Sequence, residues 1–156
     1  MEKIQKVIAK GLSLPISTKA AIEICKFIKN KTPSKAKRQL DLVIQKRIAI
    51  PMTRYNQNRG HRKGKIGPGF YPQKASREII RLLNSVEANA RNKGLNTEQL
   101  IVKKVIVNKA SYPMKTGRIK GQTKRTHIDI EAHELNTSQE IKKLHKPKEK
   151  ESSHRK

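Results

Sequence analysis

Two histidines and two acidic residues near residue 130 have side chains that can bind a metal or move a proton. His127 and Asp129 are two residues apart in an alternating segment, so both would point to the same face of a strand. Glu131 and His133 are close by. A metal site needs three or four ligands that converge on one point, and nothing in this spacing supplies a consistent geometry. The pattern therefore favours a face exposed to solvent or to a partner.

A third histidine and a group of glycines lie in the middle of the chain. His61 has Gly60 and Arg62 as neighbours and has the chemistry of a general base, but in a basic loop stacking or phosphate binding is favoured. The glycines from Gly60 to Gly69 do not match the pattern Gly, four residues, Gly-Lys-Ser/Thr of a phosphate-binding loop. The segment Gly67-Pro68-Gly69 is more typical of a rigid turn.

No pair of carboxylates in the basic part of the chain is spaced for acid–base catalysis. Glu78 and Glu87 are nine residues apart, and pairing with Lys74, with Arg91 or with a neighbouring helix is favoured for them. No Ser/His/Asp arrangement is present either. The sequence therefore predicts a protein that is not an enzyme and has no cofactor, no bound metal and no small-molecule substrate.

The net charge is the strongest signal in the sequence. The chain has 37 Lys and Arg against 12 Asp and Glu, a net charge of +25, and only 34% hydrophobic residues. A domain with this charge repels itself unless a polyanion neutralises it. Nucleic acid, an anionic membrane or an acidic protein would do so. Nucleic acid is favoured because each neutralised phosphate also releases counterions.

The basic residues are concentrated in two segments without acidic residues, from Asp41 to Glu78 and from Glu98 to Asp129. Residues 129–156 hold seven basic and six acidic residues, so nearly all of the net charge belongs to residues 1–128. Lys and Arg bind phosphates, and Tyr, Phe and His can stack on unpaired bases. The predicted RNA-binding residues are Lys46, Arg47, Arg54, Tyr55, Asn56, Arg59, His61, Arg62, Lys63, Lys65, Tyr71, Lys74, Arg77, Asn108, Lys109, Lys115, Arg118, Lys120, Lys124 and Arg125.

Three helices are predicted from apolar periodicity. Pro15 and Ser17 open the first, whose apolar face is Ala21, Ile24, Cys25 and Ile28, and Asn30 and Lys31 end it. Thr32 is the predicted N-cap of the second helix, with Pro33 at its first position. The third and strongest covers about residues 72–92, has Ala75, Ile79, Leu82, Val86 and Ala90 on one face, and ends at Gly94.

The strand signals lie at both ends of this helical part. The pattern of residues 3–10 predicts a weak strand, and the patterns of residues 100–109 and 126–132 predict two stronger strands. A basic link joins these two strands, which predicts an extended β-hairpin. Because residues 51–71 have no apolar period, we expect them to form a long loop that RNA orders. Residues 136–156 predict a disordered, lysine-rich tail.

The single cysteine and the absence of long apolar runs indicate where in the cell the protein is expected. Cys25 lies on the apolar face of the first predicted helix, so it is expected to be buried and inert. No segment is long and apolar enough for a signal peptide or a membrane span. A cytoplasmic protein is expected.

The run from Asn58 to Val102 resembles a known family. Its most specific pieces are Gly60-His61-Arg62, Gly67-Pro68-Gly69, Tyr71-Pro72 and Glu87-Ala88-Asn89-Ala90 followed by Lys93-Gly94-Leu95. Collinear matches include Leu14-Pro15-Ile16-Ser17, Val107-Asn108-Lys109, Gly117-Arg118 and Thr126-His127-Ile128, so the likeness covers roughly residues 3–132. The chain resembles the large-subunit ribosomal protein family numbered twenty-two in the bacterial scheme, in its archaeal and eukaryotic type.

The resemblance implies an α+β fold with three helices packed on a small three-stranded antiparallel sheet and an extended β-hairpin arm. With it, the chain is expected to form an RNA-binding domain over residues 1–135, with the arm at about 105–128, followed by the tail. The implied partners are large-subunit ribosomal RNA and neighbouring ribosomal proteins around the peptide exit tunnel, with no membrane. The arm would help to line the tunnel and support subunit assembly.

Two features depart from the family pattern. The link over residues 110–125 is shorter and has fewer arginines than the archaeal and eukaryotic type would have, and the tail after Glu134 has no counterpart. The alternative function is a free-standing RNA-binding regulator or RNA chaperone. Co-sedimentation with large subunits in high salt would separate the two, since a transient binder washes off.

Overall fold

The architecture is three helices on one three-stranded antiparallel sheet, as predicted. The computed structural model describes residues 6–118 and 121–134, so the predicted tail at 136–156 lies outside the described residues. The elements are β1 Lys6–Leu14, α1 Thr18–Ile28, α2 Pro33–Ile44, β2 Ile50–Pro51, β3 Gly69–Phe70, α3 Gln73–Asn92, a 3-10 turn Thr97–Gln99, β4 Leu100–Lys109 and β5 Thr126–Glu134.

The main sheet has the order β1-β5-β4, so the last strand in sequence is the middle strand in space. Ile130 of β5 lies opposite Ala9 of β1 and Val105 of β4. Ile128, Ile130 and Ala132 are fully buried, which confirms the predicted alternation in β5. The apolar face of the sheet is thus the surface on which the helices pack.

Helix α3 has the predicted apolar face and the predicted end. Ala75, Ile79, Leu82, Val86 and Ala90 are all buried. Gly94 has a φ of 70° and donates to the carbonyl of Arg91, while Leu95 donates to the carbonyl of Ala90. This pair of hydrogen bonds satisfies the last carbonyl groups of the helix and requires the positive φ that glycine adopts without strain.

The starts and ends of α1 and α2 follow from local sequence signals. The Thr32 hydroxyl accepts a hydrogen bond from the backbone of Lys35, and Pro33 is the first helical residue, as predicted. Helix α1 ends at Ile28, two residues before Asn30, which has a φ of 62°. The Asn30 amide donates to the carbonyl of Val102, which ties the end of α1 to β4.

Cys25 is buried in the core against the sheet, as predicted. Burial raises the pKa of its thiol to about 12. The thiolate, the reactive form of cysteine, is therefore scarce at neutral pH, and an inert structural role follows.

A glycine lets α3 approach β1 closely. A Cβ atom built on Gly11 would lie 2.9 Å from the terminal carbons of Leu14 and Leu82. Any larger residue at this position would push against Leu82 at the centre of α3. Gly11 is therefore part of the packing between the sheet and its longest helix.

The segment 51–71 contains regular structure that the sequence did not predict. Ile50 pairs with Phe70 and Pro51 with Gly69, which makes a second, two-stranded sheet. Beyond this sheet, an isolated bridge pairs His61 with Pro68 and holds the two sides of the loop together. Strands of two residues carry no alternating pattern, so periodicity does not detect them. The segment is a loop closed at its base.

The arm formed by β4 and β5 is less regular than an extended hairpin. The regular ladder ends at the pair Lys109–Thr126. Beyond it, an isolated bridge pairs Met114 with Gln122, and backbone amides donate across the link from Ala110 to Arg125, from Thr123 to Pro113 and from Lys115 to Gly121. Pro113 has no amide hydrogen to give to a ladder, and glycines flank the far end. The predicted hairpin is confirmed at its base, and its outer part is irregular.

Candidate nucleic-acid interface

A groove lies between the two acid-free segments of the chain. It consists of two adjoining cavities of about 630 Å³ and 730 Å³, which share Ser17, Ala20, Phe70 and Lys124 in their linings. The first cavity extends toward α3 and the link, and the second extends along residues 54–59. We call these two cavities together the basic groove.

The lining of the basic groove is strongly positive. Among the described residues that line either cavity there is no Asp or Glu. Such an acid-free concave surface concentrates positive potential where an anion can approach it. The basic residues of the lining are Lys19, Arg54, Arg59, Lys74, Lys115, Lys124 and Arg125.

The structure brings nearly half of the predicted RNA-binding residues into this groove. They come from the loop, from the start of α3 and from the link: Arg54, Tyr55, Asn56, Arg59, Tyr71, Lys74, Lys115, Lys124 and Arg125. Lys19 was not predicted, because in the sequence it is one lysine on the outer face of an amphipathic helix. Lys19 lies next to residues 54–59 only in the folded chain, where α1 packs beside the loop.

The other predicted residues lie outside the groove lining. Arg118 lines a further depression that adjoins the groove and shares Lys115, Thr123 and Arg125 with it, and Lys120 is outside the described residues. Lys109 places its amine 4.7 Å from the ring centre of Tyr112. The remaining predicted residues outside the lining are Lys46, Arg47, His61, Arg62, Lys63, Lys65, Arg77 and Asn108.

The aromatic rings of the loop are covered by basic side chains. The Arg59 guanidinium lies 4.3 Å from the ring centre of Phe70, and the Arg62 guanidinium lies 5.2 Å from that of Tyr71. Tyr55 has Lys19 at 5.4 Å and Arg54 at 5.8 Å. Contacts of this kind are worth about 0.5–1 kcal/mol at exposed sites. They orient the arginines of a loop that has few apolar contacts.

A buried acid that sequence reasoning missed holds the start of the loop. Glu23 of α1 is only 2% exposed. Its Oε1 accepts a 2.7 Å hydrogen bond from the backbone amide of Arg54, and its Oε2 accepts one of 3.0 Å from the Thr53 hydroxyl. The amine of Lys26 donates to the same hydroxyl at 2.9 Å. Glu23 thereby fixes the position at which the loop leaves β2.

The protonation of Glu23 follows from these contacts. Burial raises the pKa of the Glu23 carboxyl, but hydrogen bonds from Arg54, Thr53 and Tyr55 outweigh it and bring the pKa below its ordinary value of 4.5. Glu23 is therefore ionised at neutral pH. One signal in the sequence pointed to it, because Glu23 is the single acid between Glu2 and Asp41 and stands within an apolar run.

The base of the link is fixed to the start of α1 on the opposite side of the groove. Thr126 is fully buried, and its hydroxyl donates to the carbonyl of Ile16 at 3.0 Å and lies 2.9 Å from the Thr18 hydroxyl. The Arg125 guanidinium donates to the carbonyl of Ser13 at 3.2 Å. Both walls of the groove are thus anchored to the same helix.

Most of the histidines and carboxylates considered for metal or proton chemistry have structural partners, including Glu78, which pairs with Arg81 at 3.0 Å. The ring of His133 is hydrogen-bonded to the Glu131 carboxylate at 3.0 Å, and His127 Nδ1 accepts a hydrogen bond from the Ser13 amide. Glu87 pairs with Lys37 of α2 at 2.8 Å, the neighbouring-helix option. No group of three potential metal ligands occurs within residues 6–118 and 121–134.

Over the described ranges, no helix has the length and apolar character that crossing a bilayer requires.

Comparison with known proteins identifies the family. The profile of the family described as ribosomal protein L22p/L17e matches residues 9–134. The chain is 41% identical over 130 residues to the large ribosomal subunit protein uL22 of Methanoculleus marisnigri, covering 79% of this chain and 84% of that protein. It is 37% identical to the protein of the same name from Nanoarchaeum equitans, covering 83% and 78%. The chain therefore belongs to the ribosomal protein L22p/L17e family, in its archaeal type.

Proposed function

We propose that this chain binds the ribosomal RNA of the large subunit through the basic groove and the acid-free segments beside it. The observation that carries the proposal is the composition of the groove, in which seven basic side chains and no acidic one line the described surface. Only a polyanion matches such a surface over its whole length. Residues outside the groove, such as Arg62, Lys63 and Arg118, would extend the contact to neighbouring phosphates.

Membership of the family makes the chain a structural constituent of the large ribosomal subunit and not an enzyme. Its proposed partners are the RNA and the proteins next to it in the subunit, and its proposed site of action is the ribosome in the cytoplasm. The arm would extend from the RNA-bound domain toward the peptide exit tunnel. This part of the proposal rests on the family resemblance, and the shortness of the link limits how far the arm reaches.

Co-sedimentation with large subunits tests the proposal. The untagged chain should remain with the particle after a high-salt wash. A variant with Arg54, Arg59, Lys74 and Lys124 all changed to Gln should incorporate poorly. The matched control changes four exposed lysines outside both the groove and the acid-free segments to Gln, namely Lys6, Lys10, Lys29 and Lys35, and loses the same charge.

The control should incorporate like the wild type if the groove is the interface. Equal loss in both variants would mean that total charge matters and the groove does not. A wild-type chain that washes off the particle would favour the free-standing regulator. The salt dependence of RNA binding adds a second measure, because each lost phosphate contact should reduce the slope of log K against log salt by about 0.7–0.9.

A further inference from the structure

The basic groove is concave and contains rings, which separates it from a flat phosphate-binding surface. Its cavities, of about 630 Å³ and 730 Å³, are open to solvent, so they suit an extended ligand that lies along the groove. Phe70 lines both cavities, Tyr55 lines one and Tyr71 the other. A regular RNA duplex presents its phosphates on a convex surface and keeps its bases stacked inside. The rings of the groove would have nothing to contact on such a partner.

A flat cationic platform lies in the groove. The Arg59 guanidinium lies 4.3 Å from the centre of the half-buried Phe70 ring, and the Arg59 side chain is itself exposed. The guanidinium thus contacts the ring while the Arg59 side chain remains accessible to a ligand. Unpaired RNA bases stack on aromatic rings and on guanidinium planes. The Arg59–Phe70 pair therefore offers an exposed guanidinium next to a ring, the two kinds of group on which an unpaired base stacks.

Groups that can read or hold a nucleotide surround this platform. Asn56, Gln57 and Asn58 are exposed amide side chains in the same wall, and amides can both donate to and accept from the edge of a base. Lys124 lines both cavities from the link, opposite the loop. Its amine is available for a phosphate. Rings, amides and amines in one groove are the combination found in sites for single-stranded nucleic acid.

We propose that the basic groove binds an unpaired stretch of RNA, with one base stacked on the Arg59–Phe70 pair and the adjacent phosphates held by Lys124 and its basic neighbours. This rests on the proposed function and deepens it, because it names the form of RNA that the groove takes. Duplex RNA is bound elsewhere on the basic surface, by charge alone.

The test compares two RNA ligands with the full chain. The first is a fluorescein-labelled strand of about ten nucleotides that cannot pair with itself, and the second is the same strand annealed to its complement. Arg59→Lys keeps the charge and removes the guanidinium plane, and Phe70→Leu keeps an apolar side chain and removes the ring. Arg38→Lys, at an exposed arginine of α2 outside the groove and outside the predicted RNA-binding residues, is the matched control.

The combined variant Arg59→Lys/Phe70→Leu should bind the single strand about tenfold more weakly, as expected for the loss of one stacked base. Its affinity for the duplex should stay within about twofold, since its charge is unchanged. Arg59→Lys alone should lose at least about threefold in affinity for the single strand and should bind the duplex like the wild type. Because Arg59 is exposed, this variant keeps the test valid if Phe70→Leu does not fold. Arg38→Lys should bind both ligands like the wild type.

Equal losses on both ligands, or no loss on either, would overturn the proposal of an unpaired-RNA site. If the wild type still bound the duplex and co-sedimented with large subunits, the proposed function would stand without it. A wild type that bound neither ligand would overturn both.

Discussion

Replacing Glu23 removes the one buried charge that links α1 to the basic loop. Its carboxylate is 2% exposed and accepts hydrogen bonds of 2.7 Å from the Arg54 amide and 3.0 Å from the Thr53 hydroxyl. In Glu23→Gln the side-chain oxygen can still accept from the Arg54 amide, and the new amide can donate to the hydroxyl. In Glu23→Ala the Arg54 amide loses its acceptor.

The two variants should therefore lower the free energy of unfolding by different amounts. Hydrogen bonds to a charged group contribute about 1.5–3 kcal/mol, against about 1 kcal/mol for neutral ones. We expect Glu23→Gln to lower the free energy of unfolding by about 1 kcal/mol and Glu23→Ala by about 2–3 kcal/mol. Glu98→Gln, at an exposed acid, is the control and should stay within about 0.5 kcal/mol of the wild type.

The stabilisation by Glu23 should also depend on pH. The pKa of this carboxyl is lowered in the folded state, so its contribution is complete above the ordinary value of 4.5 and is lost as the pH falls through the lower folded pKa. The difference between wild type and Glu23→Gln should hence be constant from about pH 7 to pH 5.5. It should shrink below about pH 4.5, where the wild type loses the charge that the variant never had.

Urea unfolding at several pH values measures these differences, and hydrogen exchange of the Arg54 amide reports on the loop directly. Exchange of the Arg54 amide should accelerate in Glu23→Ala by more than the loss of unfolding free energy explains. Exchange of the α3 amides should change only by the amount that this loss explains. If both variants unfold like the wild type, or if the difference persists unchanged at low pH, the ionised carboxylate does not hold the loop.

Three further perturbations test the packing and the arm. Leu82→Ala should lower the free energy of unfolding by about 2–5 kcal/mol, since Leu82 is 8% exposed and packs over Gly11; unchanged urea unfolding would contradict this packing. Changing Arg59, Arg62 and Lys63 to Ala should weaken RNA binding in anisotropy titrations and leave unfolding within about 1 kcal/mol, because these side chains are exposed. Replacing residues 112–123 by Asn-Gly should leave the domain folded, since the β4–β5 ladder ends at Lys109–Thr126; loss of the cooperative unfolding transition would show that the link belongs to the core.

The elements predicted well are those whose signals are local. Thr32-Pro33 starts a helix and Gly94 ends one because each acts on neighbouring backbone groups, and both were found. The alternation in β5 was found because one face of the sheet is buried and the other is not. Local sequence contains the whole cause in each of these cases.

The parts that were missed depend on contacts between distant residues. Glu23 accepts hydrogen bonds from residues thirty positions later, and its burial cannot be inferred from the charge of its side chain. Lys19 joins the groove only because α1 lies between the loop and the link. The sequence predicted which segments are basic, whereas the fold determines which of their side chains share one cavity.

The position of β5 in the middle of the sheet has a consequence for synthesis. β1 and β4 flank β5 and form no ladder with each other, so neither has a partner strand until residues 126–134 have been made. The walls of the groove are anchored near Thr126 as well. A ribosome making this chain would release about four fifths of it as a positively charged polymer without a closed sheet. The groove can therefore reach its full shape only after β5 has been made and inserted between β1 and β4.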